Sequence, residues 1–201
     1  MRVIGITGGV GAGKSTVLAM LKELCSCEVI VSDDVAKRIM AKGGPLTQEA
    51  ERLFGSGAYL PDGELNKPLI ASMIYGDDEL LRRWNRAVHP AVNREIHEQI
   101  ALARESGQYD FVFVESALLI ENGYENVCDE IWYIYADASV RRERLRASRG
   151  YDDAKTDGIM KSQLDDAQFR SHCDFVVDTG NGIENTKHIL QNRLEVYKQM
   201  C

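Results

Sequence analysis

The chain has 201 residues, of which 44% are hydrophobic and 27% charged, with a net charge of −7. That length suits one domain with an inserted lobe, and the acidic balance argues against a general nucleic-acid binder, which needs a basic face. Five cysteines (Cys25, Cys27, Cys128, Cys173 and Cys201) are odd in number and lack C-x-x-C spacing, so neither a disulfide framework nor a cysteine-held metal is expected and a reducing compartment is implied.

In chain order, Val3 to Ile6 is the first strand-like run. No signal-peptide pattern precedes it, and no apolar stretch approaches the roughly 18 residues of a membrane span. A cytoplasmic protein with no membrane partner is therefore expected. The run leads into "GITGGVGAGKST", residues 5 to 16, which fits G-x-x-x-x-G-K-[ST] through Gly8, Gly13, Lys14 and Ser15. After it, Val17, Leu18, Leu21 and Leu24 share one face of a helix predicted over residues 15 to 24. In such a loop the backbone N–H groups of Gly8, Gly9, Val10, Gly11, Ala12, Gly13, Lys14, Ser15 and Thr16 converge on nucleoside triphosphate oxygens, and bulky side chains would obstruct them. Lys14 supplies a charge for the β- and γ-phosphates, Ser15 a hydroxyl for Mg²⁺, and the following helix turns its positive end to the anion. The loop identifies the donor and leaves the reaction open.

The second strand, Glu28 to Val31, runs into Asp33 and Asp34. Asp33 falls at the carboxyl edge of the sheet, where α/β proteins bind ligands and a carboxylate can accept the proton of an attacking hydroxyl. Asp34 reads as a helix N-cap. About eighty residues then pass before the third strand, Phe111 to Val114, far more than one crossover needs. They hold helical pieces, a turn at Leu60-Pro61-Asp62-Gly63, and a helix over 90 to 106 with Pro90 in its first turn and Val92, Ile96, Ile100 and Ala103 on one face. A helical lobe over 34 to 108 follows from that interval. Asn66-Lys67-Pro68-Leu69 lacks the final Asp of a guanine-reading N-K-x-D.

Ile131 to Tyr135 forms the fourth strand, followed by a helix from Ser139 to Ser148. Arg141, Arg142, Arg144, Arg146 and Arg149 fall on or just after it. At helical spacing they cannot all face one ligand, so most are expected in solvent, with Arg144 and Arg149 as candidates to close over phosphates from a lid spanning 141 to 168. Phe175 to Val177 and a helix over 184 to 199 complete an α/β fold: a P-loop NTPase-type parallel five-stranded sheet flanked by helices, one domain over 1 to 201, with a helical acceptor lobe and an arginine-bearing lid. These parts suit a small-molecule kinase. Two alternatives are a nucleoside or nucleotide monophosphate kinase, and a nucleotide-switched protein with Glu115 aligning water.

In order along the chain, "GITGGVGAGKST", "SDDVAKRI", "VHPAV", "FVFVESALLIENGY", "RLRASRG" and "IMKSQLDDAQFRSHCDFVVDTGNG" resemble the motifs of the dephospho-coenzyme A kinase family over nearly the whole length. The resemblance implies transfer of phosphate from ATP, with Mg²⁺, to the ribose 3′-hydroxyl of dephospho-CoA, the last step of coenzyme A biosynthesis. It also implies Asp33 as the catalytic base and acceptor contacts from His89 and Lys37; no obligate protein partner is inferred. The chain departs from the family pattern at Val31, Ala117 and Gly158, and at Lys37, where a lysine replaces the common arginine and loses its bidentate fork.

Overall fold

The computed structural model describes residues 1–121 and 123–199. Cys201, one of the five cysteines, lies outside them; Cys25, Cys27, Cys128 and Cys173 are free thiols. Among the described residues no helix is long and apolar enough to cross a membrane.

Five parallel strands form the sheet in the order β2-β3-β1-β4-β5: β1 (Arg2–Thr7), β2 (Cys27–Val31), β3 (Phe111–Glu115), β4 (Glu130–Tyr135) and β5 (Phe175–Asp178). The central strands are continuous apolar runs because helices cover both faces. Val3, Ile4 and Ile6 of β1, Phe111 to Val114 of β3 and Ile131 to Ile134 of β4 are all buried. Register sets Ile4 opposite Phe113 on one side and Glu130 on the other. Trp132 then joins an aromatic row, tilted against Phe113 at 5.8 Å and edge-on to Phe175 at 5.3 Å between ring centroids. The helix α1 (Lys14–Leu24) buries Val17, Leu18 and Leu21, and the last helix, α9 (Ile183–Gln199), buries Leu190, Leu194 and Tyr197.

The chain leaves β1 for β2 on one side and later reaches β4 on the other. The strand order therefore reverses beside β1, and the crevice at that strand's carboxyl end is where such sheets take ligands. The loop of residues 8 to 13 stands there.

Two compact units divide the chain: 1–29 with 103–201, and 30–102. The second is helical: α2 (Ser32–Met40), α3 (Thr47–Phe54), a short 3-10 turn at Ser56–Ala58, α4 (Lys67–Ile74) and most of α5 (Asp78–Ser106). Its interior includes Val35, Ile39, Phe54 and Trp84, with Trp84 edge-on to Phe54 at 5.2 Å. The turn predicted at residues 60 to 63 closes a hairpin stub, with Gly63 N–H donating to Leu60 O at 2.9 Å and one bridge pairing Tyr59 with Leu65.

Two local expectations are corrected. Pro90 does not begin a helix; α5 starts at Asp78 and runs through it. Proline at that point removes the N–H that would reach Arg86 O, and both residues lie on the exposed side of the helix, where water can take the freed carbonyl. Asp34 does not cap α2. The cap position is Val31, and Asp33 and Asp34 both lie inside the first turn, where their charges favour the helix N-terminus through its dipole.

Candidate active site

The loop between β1 and α1 is a backbone cradle. Gly8 has φ 145°, and a Cβ there would stand 2.3 Å from Ile134 O, so only glycine lets the chain pass this close to β4. Ala12 N–H turns back to Gly9 O at 3.2 Å, and Val17 N–H to Gly13 O at 3.0 Å opens α1. Lys14 does not extend into solvent. Its Nζ donates to Gly8 O at 2.8 Å and lies 3.6 Å from Glu115 Oε1, with both side chains about one-seventh exposed or less (14% and 13%). Ser15 and Thr16 are exposed in the first turn of α1. Thus a fixed ammonium, free-standing hydroxyls and a helix N-terminus share one spot, which suits a polyphosphate.

The arginine-rich segment forms α6 (Ala138–Arg149), followed by α7 (Asp153–Lys161) and α8 (Asp166–His172). Its arginines divide by face. Arg142 and Arg146 pair with Asp157 and Asp153 of α7, each at 2.7 Å, in solvent-exposed contacts. Arg149 is exposed before the helix-ending Gly150, with its guanidinium 5.9 Å from the Tyr151 ring centroid. Arg144 turns inward: Nη1 donates to Thr179 Oγ1 at 2.9 Å and Nη2 to Thr179 O at 2.7 Å. The buried Thr179 hydroxyl in turn donates to Ala12 O at 2.7 Å, tying the phosphate loop to the end of β5. Beside this knot is a cavity of about 360 Å³ whose lining includes the apolar Val17, Met20 and Ile183 and the polar Thr16, Arg144 and Thr179.

Three of the five arginines are at the surface, as expected, and Arg141 joins Arg144 on the inward side. It is half-buried over the loop, Nε donating to Val10 O at 2.8 Å and Nη2 to Gln163 Oε1 at 3.3 Å. Burial pulls its pKa down from the ordinary value, with Tyr133 opposing. Arg141 and Gln163 were not singled out from sequence as site residues. A signal for Arg141 exists: Leu145, four residues on, is buried and marks the inward face of α6. Gln163 carries no such signal, because its partner is 153 residues away.

Within the helical unit, Asp33 is exposed in the first turn of α2. It lines a groove of about 290 Å³ with Ala36, Lys37, Met40, Glu64 and Lys67, among others. Asp33, Lys37 and Met40 follow the one-face spacing of a helix, and Lys37 Nζ lies 3.2 Å from Glu64 Oε1. His89 is exposed midway along α5 and is not among the groove's lining residues. The Asn66-Lys67-Pro68-Leu69 segment has a structural explanation: Asn66 Oδ1 accepts from Leu69 N–H at 3.3 Å as the cap of α4, with Pro68 in the first turn. Gly158 faces open space from α7, and Val31 is half-buried at the cap of α2.

As for a metal, no group of three or more His, Cys, Asp or Glu among the described residues could hold one. The exposed Ser15 hydroxyl at the head of α1 is a hard oxygen donor, and Mg²⁺ is typically held by one or two protein oxygens together with substrate phosphates and water. The residues present fit that mode.

A family model described as dephospho-CoA kinase matches residues 2–185. A dephospho-CoA kinase of Leifsonia xyli is 36% identical over 186 residues, covering 92% of this chain and 93% of its own. Another, from Moorella thermoacetica, is 32% identical over 187 residues, covering 93% and 88%. Among solved structures, the Thermus thermophilus protein TT1252 aligns with a TM-score of 0.80 at 27% identity over 96% of both chains. At the level of fold alone, a dephospho-CoA kinase from Campylobacter jejuni aligns at 0.72 with 18% identity over 99% and 98%. A shikimate kinase from Acinetobacter baumannii aligns at 0.53 with 18% identity over 99% and 94%.

Proposed function

The chain belongs to the dephospho-CoA kinase family, and from that premise we infer that it transfers the γ-phosphoryl group of ATP to the ribose 3′-hydroxyl of dephospho-CoA, giving CoA and ADP in coenzyme A biosynthesis. The observation that carries this reading is the family match across residues 2–185, on a chain whose phosphate loop retains Gly8, Gly13, Lys14 and Ser15. A cytoplasmic location is proposed on the same ground, and four free thiols accord with it.

The loop N–H groups from Gly8 to Thr16 hold the phosphates, and Lys14, already held beside Gly8 O and Glu115, neutralises charge on the β–γ bridge. Ser15 would hold a Mg²⁺ ion, which would supply charge neutralisation at the phosphate oxygens. The adenosine takes the cavity beside Thr179 and Ile183, where apolar side chains suit a flat base and polar groups suit the ribose. Asp33 accepts the proton of the 3′-hydroxyl as its oxygen bonds to the γ-phosphorus. The β–γ bridging oxygen leaves with the electron pair, and ADP departs. Lys37 offers the acceptor a point charge within the groove that Asp33 lines, and Arg144 and Arg149 add charge over the phosphates.

The test is acceptor choice in the presence of ATP and Mg²⁺. Dephospho-CoA should be phosphorylated in preference to nucleosides and nucleoside monophosphates offered together with it. Preference for any of these competitors would overturn the reading.

A further inference from the structure

Val10, near the tip of the phosphate loop, is gripped from outside the loop. Its N–H donates to Gln163 Oε1 at 3.0 Å. Its carbonyl accepts from Arg141 Nε at 2.8 Å. Arg141 Nη2 reaches the same Gln163 oxygen at 3.3 Å, which closes a ring of three hydrogen bonds. The ring joins the loop to α6 and to the connection between α7 and α8.

A loop peptide has no ladder or helix partner, so its N–H and C=O otherwise go to water and the backbone is free to turn. Here both polar groups of one loop residue are taken by side chains of the arginine-bearing segment. Arg141 also lies flat on the loop: a Cβ on Gly9 would stand 2.3 Å from its Nη2. Among the described residues Arg141 makes no ion pair with a carboxylate. Its acceptors, a carbonyl and a carboxamide, are neutral and leave the guanidinium charge uncancelled. Glutamine suits the third corner for the same reason. A carboxylate would satisfy both donors, but it would also cancel the charge an incoming polyphosphate meets.

We propose that Arg141 and Gln163 are positioning residues for the nucleotide: by holding Val10 from both sides they order the loop's phosphate-facing N–H groups before ATP arrives. This rests on reading Gly8 to Thr16 as a triphosphate cradle and is independent of which hydroxyl receives the phosphate. The benefit is in binding. Backbone freedom removed beforehand need not be lost when the ligand arrives.

The test follows amide exchange residue by residue in the protein without nucleotide, under conditions where opening is local. Gln163→Leu should speed exchange at Val10 about tenfold, the size of one net hydrogen bond, while amides of α1 and the melting temperature hold. Gln163→Glu keeps an acceptor oxygen and should keep Val10 slow. Arg141→Met and Gln163→Leu should each raise the Kd for ATP about fivefold. In the double variant the two effects should combine to less than their product, as for residues in one network. Equal exchange at Val10 in the parent and Gln163→Leu would overturn the proposal, as would fully multiplicative losses of ATP affinity. ATP binding is read with no acceptor present, so refusal of dephospho-CoA would sink the proposed reaction and leave this result standing.

Discussion

The charged groups of the sheet-bearing unit and those of the helical unit are held in different ways. Lys14 and Glu115 are 14% and 13% exposed, and Lys14 also donates to Gly8 O; Lys37 and Glu64 are 64% and 57% exposed and meet only across 3.2 Å of open surface. A sheltered pair acts through a medium of low dielectric and little salt, whereas an exposed pair is screened and contributes at most about 1 kcal/mol. The same contrast runs through the arginines: Arg141 and Arg144 are fastened to backbone carbonyls and Thr179, while Arg142 and Arg146 form surface pairs. Charges beside the phosphate loop are thus fastened by protein partners. Those beside Asp33 stand in open solvent.

The largest expected effect breaks the chemistry without touching the donor cradle. Asp33→Asn should slow phosphoryl transfer by about 10²- to 10⁴-fold, the usual worth of a positioned base, with Kd for ATP unchanged. Single-turnover transfer and nucleotide titration on the same preparation check it, and loss of ATP binding by a folded protein would make Asp33 a donor-site residue instead. Next, Thr179→Val takes one acceptor from Arg144 and leaves Ala12 O only the longer of its two donors, Arg144 Nη1 at 3.4 Å. It should cost about 1–3 kcal/mol of stability as well as ATP affinity, measured by denaturant unfolding and titration. Smallest is Lys37→Met, which should change stability by less than about 0.5 kcal/mol while raising the KM for dephospho-CoA and sparing that for ATP. A stability loss as large as that of Thr179→Val would erase the contrast between the two sides.

What the sequence discloses follows the same division between local and distant physics. All five strands are visible as short apolar runs, the three central ones most clearly because a doubly covered parallel sheet writes its burial into consecutive residues, such as Phe111 to Val114. The phosphate loop is visible because its geometry needs glycine at fixed intervals. The start of α5 at Asp78 is hidden, since Pro90 looks like a first-turn proline and only tertiary context lets a helix run through it. The capping reading of Asp34 fails by a matter of residues, because α2 begins directly at the end of β2. The grip of Gln163 on Val10, and the strand order that places β4 beside β1, depend on residues more than a hundred positions apart.

The central claim is that the fixed donor cradle serves transfer to one hydroxyl of one acceptor. Phosphorus NMR of the product after incubation with ATP, Mg²⁺ and dephospho-CoA tests it most directly. The account predicts a new phosphomonoester on the ribose 3′-oxygen, formed in step with ADP and absent for Asp33→Asn. Phosphate at another position, or ADP formed with only inorganic phosphate, would contradict it.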